Sequence, residues 1–314
     1  MKKKLILAAV ILPLLIFALT RLDWQGVRES MRQLPVWVVA LLVMLQVVSQ
    51  LLVNTLWHSV ANAANVKISF WQMFYVNCQG AVIDSITPGV KFGGEVTRAV
   101  QLAKTAGCET AQAASIVAVQ KLFSLSALFF VLVLVAAFFV GGIAMPIILA
   151  GLLAVFLVVL AVPHRLLHRI NTQKPGKSTK LYQIKLFAAA MLGHICIIRK
   201  KPLRLVGLFL LALFIWVLYP VKLYIIVVQF MPVMPLLQVG AIAFMAYMVA
   251  MLPIFPGGLG GFEGTAVGLI MAAGMVTENA TVVTVLFRFI TFWLVMLASL
   301  VVVMAKKLVV KISS

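Results

Sequence analysis

The sequence predicts an all-α polytopic membrane protein with about six full transmembrane helices and two re-entrant, broken-helix hairpins arranged as an inverted repeat. Three observations predict it. Hydrophobic residues make up 64% of the 314 positions and charged residues 11%, with a mean hydropathy of +1.16, a balance suited to a bilayer rather than to water. Six apolar stretches (5–20, 36–60, 110–139, 143–162, 203–229 and 280–304) reach or approach the ~20 helical residues that cross about 30 Å of hydrocarbon. One polar, helix-breaking pattern also occurs twice, as TPGVKFGGEVTRAV from Thr87 and FPGGLGGFEGTAV from Phe255. Backbone groups in lipid must close their hydrogen bonds within each span, so the stretches are helices. The strict alternation of a membrane β-barrel is nowhere sustained.

The first stretch follows Lys2, Lys3 and Lys4, as a signal peptide would, but no small-residue cleavage pattern closes it. With Pro13 and the linker from Arg21 to Arg32, it reads as an uncleaved first helix. After the span at 36–60, the segment Phe70 to Lys104 starts apolar, breaks at Asp84, Pro88 and Gly89, and continues through Lys91, Glu95 and Arg98. It is expected to enter the membrane and turn back. The spans at 110–139 and 143–162 lead into a basic linker, 163–202, whose NTQKPGKSTK stretch is a solvated connector and whose run from Leu181 to Ile198 suits a helix lying along the interface. Beyond the span at 203–229, Leu236 to Ile254 is apolar, Pro256 to Gly261 is too rich in glycine for regular helix, and Phe262 to Met275 is apolar again. This is the second expected hairpin, and 280–304 is the last span.

Residues 1–314 read as one integral membrane domain, with half-repeats at 36–139 and 203–304 joined through 143–202. Pro88, Gly89, Gly93, Glu95 and Thr97 stand at the same spacing as Pro256, Gly257, Gly261, Glu263 and Thr265, and the same offset lays Gln120 on Arg288. Ten of the 26 Lys and Arg residues lie between His164 and Arg204, which places that linker in the cytoplasm. Lys2 to Lys4 and Lys306, Lys307 and Lys311 place both termini there too, in a multi-pass protein of the cell membrane. An even number of crossings follows, and the two halves become inverted copies. Inverted repeats with broken helices near the midplane are a recurrent transporter plan.

The net charge of +19 sits in membrane-flanking loops without an aromatic stacking platform. Anionic phospholipid, not nucleic acid, is the expected counter-surface. Cys78, Cys108 and Cys196 are odd in number and widely spaced, implying neither a disulfide framework nor a zinc cluster. His164 and His168, beside Arg165 and Arg169, read as a basic helix end rather than a metal site. Trp24, Trp37, Trp57, Trp71 and Tyr75 suit interfacial belts. No phosphate-binding loop, dinucleotide fingerprint or nucleophile motif is present, and no cofactor is expected.

The two motifs carry the expected chemistry. Proline ends the hydrogen-bond ladder and glycine lets exposed backbone approach a ligand, while the N–H groups opening the next half-helix favour an anion. Of only seven acidic residues, Asp84, Glu95 and Glu263 lie in or beside the motifs. Two readings follow. In one, Arg98 or Arg288 neutralises the glutamates in an ion-pair cluster joining the hairpins. In the other, Lys91, Arg98 and Arg288 meet a lipid phosphate, and Asp84, Glu95 and Glu263 meet a cationic headgroup or carry a coupling proton.

TPGVKFGGEVTR and FPGGLGGFEG resemble the two signatures of the flippase-like membrane domain of lysylphosphatidylglycerol synthase and flippase proteins, the multiple peptide resistance factor family. The resemblance covers about residues 5 to 305. Pro88, Gly89, Gly94, Glu95 and Arg98 match the first signature, and Pro256, Gly257, Gly260, Gly261 and Glu263, followed by Arg288, the second. Where relatives often carry a Glu-Arg pair and then an Asp, this sequence has Gln120, Lys121 and Ser124, with Lys121 in place of the arginine.

The resemblance implies translocation of a phospholipid between leaflets, with aminoacylated phosphatidylglycerol a candidate and a polyprenyl-phosphate carrier an alternative. It extends the substrate-binding set to Lys121. The chain ends at Ser314, so the aminoacyltransferase domain of relatives is not expected, and lysyl transfer would rest on the family name alone. A further alternative is a non-transporting membrane partner of a separate synthase or glycosyltransferase. Homo-oligomerisation is also compatible with the sequence.

Overall fold

The computed structural model describes residues 24–87, 92–140, 179–252 and 257–313, and all regular structure among them is helical. The expected spans at 5–20 and 143–162, and the basic residues from Arg165 to Lys177, lie outside the described residues. Helix α1 (Trp24–Arg32) falls in the expected first linker. Pro35, extended at φ −63° and ψ 136°, then starts α2 (Val36–Ala63).

The hairpin segment begins at α3 (Phe70–Ile86) with a reciprocal cap. The Gln72 N–H donates to Ser69 Oγ at 3.2 Å, and the Ser69 N–H donates to Gln72 Oε1 at 2.9 Å. At the other end, Thr87 turns extended (ψ 133°), the conformation that a residue preceding proline is pushed into. Helix α4 (Phe92–Ala106) packs back on α3 and stops at Gly107, whose φ of 65° is a left-handed helix end. Helix α5 (Thr110–Val140) is the second long apolar helix.

Helix α6 (Thr179–Arg199) covers the run expected to lie at the interface. It packs on α5, with Ile195 and Ile198 buried and the His194 ring 2.9 Å from Ser115 Oγ. Helix α7 (Pro202–Val227) opens with proline at its first position and carries Pro220 inside. Helices α8 (Leu236–Ala250) and α9 (Gly261–Ala272) form the second folded-back pair. The chain ends with α10 (Thr277–Arg288), a π-helical turn at Phe289–Trp293 and α11 (Leu294–Ser313).

Four helical stretches are long and apolar enough to cross a membrane: Val36–Ala63, Thr110–Val135, Pro202–Val227 and Thr277–Val309. They coincide with four of the six expected spans. Between the first two, and again between the last two, stands a pair of shorter helices. Setting α2, α3, α4 and α5 against α7, α8, α9 and the α10–α11 stretch makes the helix contacts fall into matching sets. α3 packs on α4 as α8 does on α9, and α4 on α5 as α9 does on α10. The halves also interlock, because α11 packs on α3 as α5 does on α8, while α2 and α7 meet each other.

One aromatic expectation changes. Trp37 and Trp71 are 61% and 69% exposed, as interfacial residues can be, but Trp57 is 4% exposed. Its ring is covered by the Arg98 guanidinium at 5.6 Å, so it belongs to the packing beneath the first hairpin.

Candidate functional site

Each folded-back pair carries a charged cluster closed by the long helix that follows it. In the first, Arg98 of α4 reaches across to α3, with Nη1 2.9 Å from Asp84 Oδ2 and 3.7 Å from Glu95 Oε1. Lys121 of α5 donates to the same Glu95 oxygen at 2.8 Å. The Gly94 N–H, at the start of α4, donates to Asp84 Oδ1 at 3.1 Å. A methyl group on Gly94 would collide with the Asp84 carboxylate, so the absence of a side chain allows this close approach.

In the second cluster Glu263, in the first turn of α9, accepts from Arg288 Nε of α10 at 2.8 Å and from the Gly260 N–H at 2.7 Å. Arg288 Nη2 donates to the Gly257 carbonyl at 3.1 Å, and its guanidinium lies over the rings of Phe262 and Phe292 at 5.0 and 4.4 Å. The π-helical turn starts immediately after Arg288. Such turns insert an extra residue into the helical ladder and re-aim the side chains around them. Thr97 and Thr265 match in detail, each donating its hydroxyl at 2.8 Å to the carbonyl four residues back, Gly93 or Gly261.

The cation opposite Glu95 is Lys121, not the Gln120 that aligns with Arg288. Separation along the chain is 26 residues for the first pair and 25 for the second. The repeat is therefore kept in charge and position but not in residue number. Among the described residues the ion pairs close within each half, and none joins the two hairpins. The hairpins do come close, because Gly257, at φ 59°, lies beside the last turn of α3, and a Cβ there would stand 3.0 Å from the Ser85 carbonyl oxygen.

Asp84, Gly94, Glu95, Arg98 and Lys121 are thus gathered in one cluster, and Gly257, Gly260, Gly261, Glu263 and Arg288 in the other. Pro88, Gly89, Lys91 and Pro256 lie outside the described residues. The first cluster keeps unused valences, because Glu95 Oε2 and Arg98 Nε are buried without a hydrogen-bond partner among the described residues, as are Asn77 Oδ1 and Gln79 Oε1 on α3. Buried polar atoms are rarely left this way.

One buried cation was not singled out from the sequence. Lys222 of α7 is 0% exposed and donates to Gln46 Oε1 at 2.6 Å and to Ser49 Oγ at 3.1 Å, both on α2. Its signal was a lone lysine two residues after Pro220 in an apolar span, a placement that marks function by default.

Four membrane-length helices, two broken hairpins between them and a charged cluster in each hairpin define a polytopic helical membrane protein with a polar interior. Its sequence places it more closely: over residues 4–299 it matches the lysylphosphatidylglycerol synthase TM region, and the chain belongs to that family. No curated protein matches the chain.

Proposed function

We propose that this protein is a flippase-like translocator that moves a phospholipid headgroup, with aminoacylated phosphatidylglycerol a candidate, between the leaflets of the cell membrane. The observation that carries the reading is the first cluster, in which a buried carboxylate oxygen and a buried guanidinium N–H, on adjacent turns of α4, have no hydrogen-bond partner among the described residues. A headgroup with an ammonium and a phosphate offers the complementary pair. In this reading Arg98 and Lys121 meet phosphate, Asp84 and Glu95 meet the cationic group, and Glu263 with Arg288 serves the opposite side. The acyl chains stay outside, along the apolar groove walled by Leu132, Phe244, Met245 and Leu269.

The matched contacts of the two halves support an inverted repeat whose hairpins enter from opposite faces, so that rocking opens the polar path to each side in turn. Residues 36–139 and 203–304 are the moving units, and the basic linker faces anionic lipid in the cytoplasm. Pro88, Gly89, Lys91 and Pro256 complete the binding set at the two breaks.

Reconstitution into proteoliposomes with fluorescent or lysylated phosphatidylglycerol tests it. Faster exchange between leaflets than in empty vesicles is expected, falling at least tenfold in Glu95→Gln and Glu263→Gln. No exchange by the wild-type protein overturns the reading. Exchange of a polyprenyl phosphate alone would reassign the cargo. Lysyl transfer from charged tRNA, or co-purification with a synthase in the absence of any lipid movement, would place the protein in another class.

A further inference from the structure

Among the described residues the ion pairs of the two hairpin clusters balance: two carboxylates with two cations in one, one with one in the other. Lys222 is different. No carboxylate among the described residues lies within ion-pairing distance of its ammonium, and the groups it meets are an amide, a hydroxyl and the face of the Tyr219 ring at 4.6 Å. An ammonium held in hydrocarbon without a counter-ion is costly and is normally retained for function. Its place is equally particular, because it crosses the α2–α7 contact, where the first helix of one half meets the first helix of the other.

The surroundings can accommodate either protonation state. Ser49 Oγ, which accepts from Lys222, donates to the Leu45 carbonyl at 2.8 Å, and Gln46 Nε2 beside it is buried without a partner among the described residues. An amide and a hydroxyl can each exchange donor for acceptor roles when the amine loses or gains a proton. Pro220 removes one rung of the α7 ladder next to this point, leaving a place where the helix can bend.

Among described side chains, the other titratable and charged groups on these elements and their neighbours bring no carboxylate within ion-pairing distance of Lys222. Tyr219 and Tyr224 are on α7 itself, and Tyr247 of α8 touches the Tyr219 ring at 5.2 Å between centroids. Arg288 of α10 is taken by Glu263, and Lys121 of α5 by Glu95. His194 of α6 is held by Ser115, and His58 of α2 is bonded to the Ile68 carbonyl at 3.1 Å.

We infer that Lys222 is a proton-binding site that couples uptake and release of one proton to the parting and closing of the α2–α7 contact between the two halves. The proton adds to the Nζ lone pair when the contact opens to water, and it leaves to water before the contact closes over the neutral amine. The charged form favours the open contact, because hydration replaces the missing counter-ion. Proton coupling is thus assigned to the lysine, while the hairpin carboxylates, each already paired, are left to the headgroup. This deepens the translocator reading and rests on it for the cargo, though not for the proton.

The test uses the full chain in lipid nanodiscs with 13Cε-labelled lysine. The resonance missing from Lys222→Met identifies Lys222, and its shift is followed from pH 5 to pH 10. It is expected to titrate within that range. In parallel, lipid exchange by the wild-type protein is expected to depend on pH, and both Lys222→Met and Lys222→Arg to flatten that profile. Arginine keeps the charge, so a merely structural role would be rescued by it. A Lys222 resonance that never titrates, or a pH profile unchanged in both variants, overturns the inference. Titration without any lipid exchange by the wild type keeps the proton site and overturns the translocator reading instead.

Discussion

The pairing of Arg288 sets what single substitutions will do at the residue scale. Its side chain is 6% exposed, and the charge is balanced by Glu263 alone among the described residues. Glu263→Gln should leave a buried guanidinium unbalanced, a loss of roughly 3 kcal/mol that thermal unfolding in detergent would register. Adding Arg288→Gln to that variant should recover most of the stability, while lipid exchange stays lost. Recovery of exchange as well would mean that the pair acts only as structure. Gly94 is constrained from the opposite direction, by space rather than charge. Gly94→Ala drives a methyl group into the Asp84 carboxylate and should cost on the order of 2 kcal/mol, displacing Arg98 with it.

The breaks in helices decide where each element ends at the element scale. α3 ends because Thr87 precedes a proline, and α9 starts after three glycines, Gly257, Gly258 and Gly260, at φ of 59°, 73° and 82°. Pro220 breaks the ladder more gently, inside a continuous α7. Pro220→Ala restores the missing N–H and should raise the melting temperature, by on the order of 1 kcal/mol in stability. If α7 bends during turnover, the same variant should exchange lipid several-fold more slowly, and an unchanged rate would rule out a hinge there.

Interlocking of the halves constrains their motion at the scale of the whole molecule. α11 packs on α3, and there Ser299 and Cys78 line one small cavity with Asn54 and Asn77. Ser299→Cys should therefore form a disulfide with native Cys78 under mild oxidation, tying the second half to the first hairpin. Lipid exchange should stop on oxidation and return with reductant. Exchange that continues with the bridge formed, as judged by mass spectrometry, would show that this contact stays closed throughout the cycle.

The membrane class, four of the long helices, both broken segments and the charged residues within them were determined by the sequence alone. These features are local: twenty apolar residues, a proline or a run of glycines constrain the backbone wherever they occur. Pairings are different, because they depend on which helices meet. The offset between the motifs lays Gln120 on Arg288, whereas folding puts the neighbouring Lys121 opposite Glu95, since one residue along a helix turns a side chain by about 100° and the two halves do not keep the same phase. Trp57 moved from an expected belt to a buried contact with Arg98 for the same reason. Lys222 was one letter in an apolar run until α2 closed over it with Gln46 and Ser49. Tertiary packing alone decided that its charge meets no carboxylate among the described residues, because a counter-ion is a matter of distance in space and not of position along the chain.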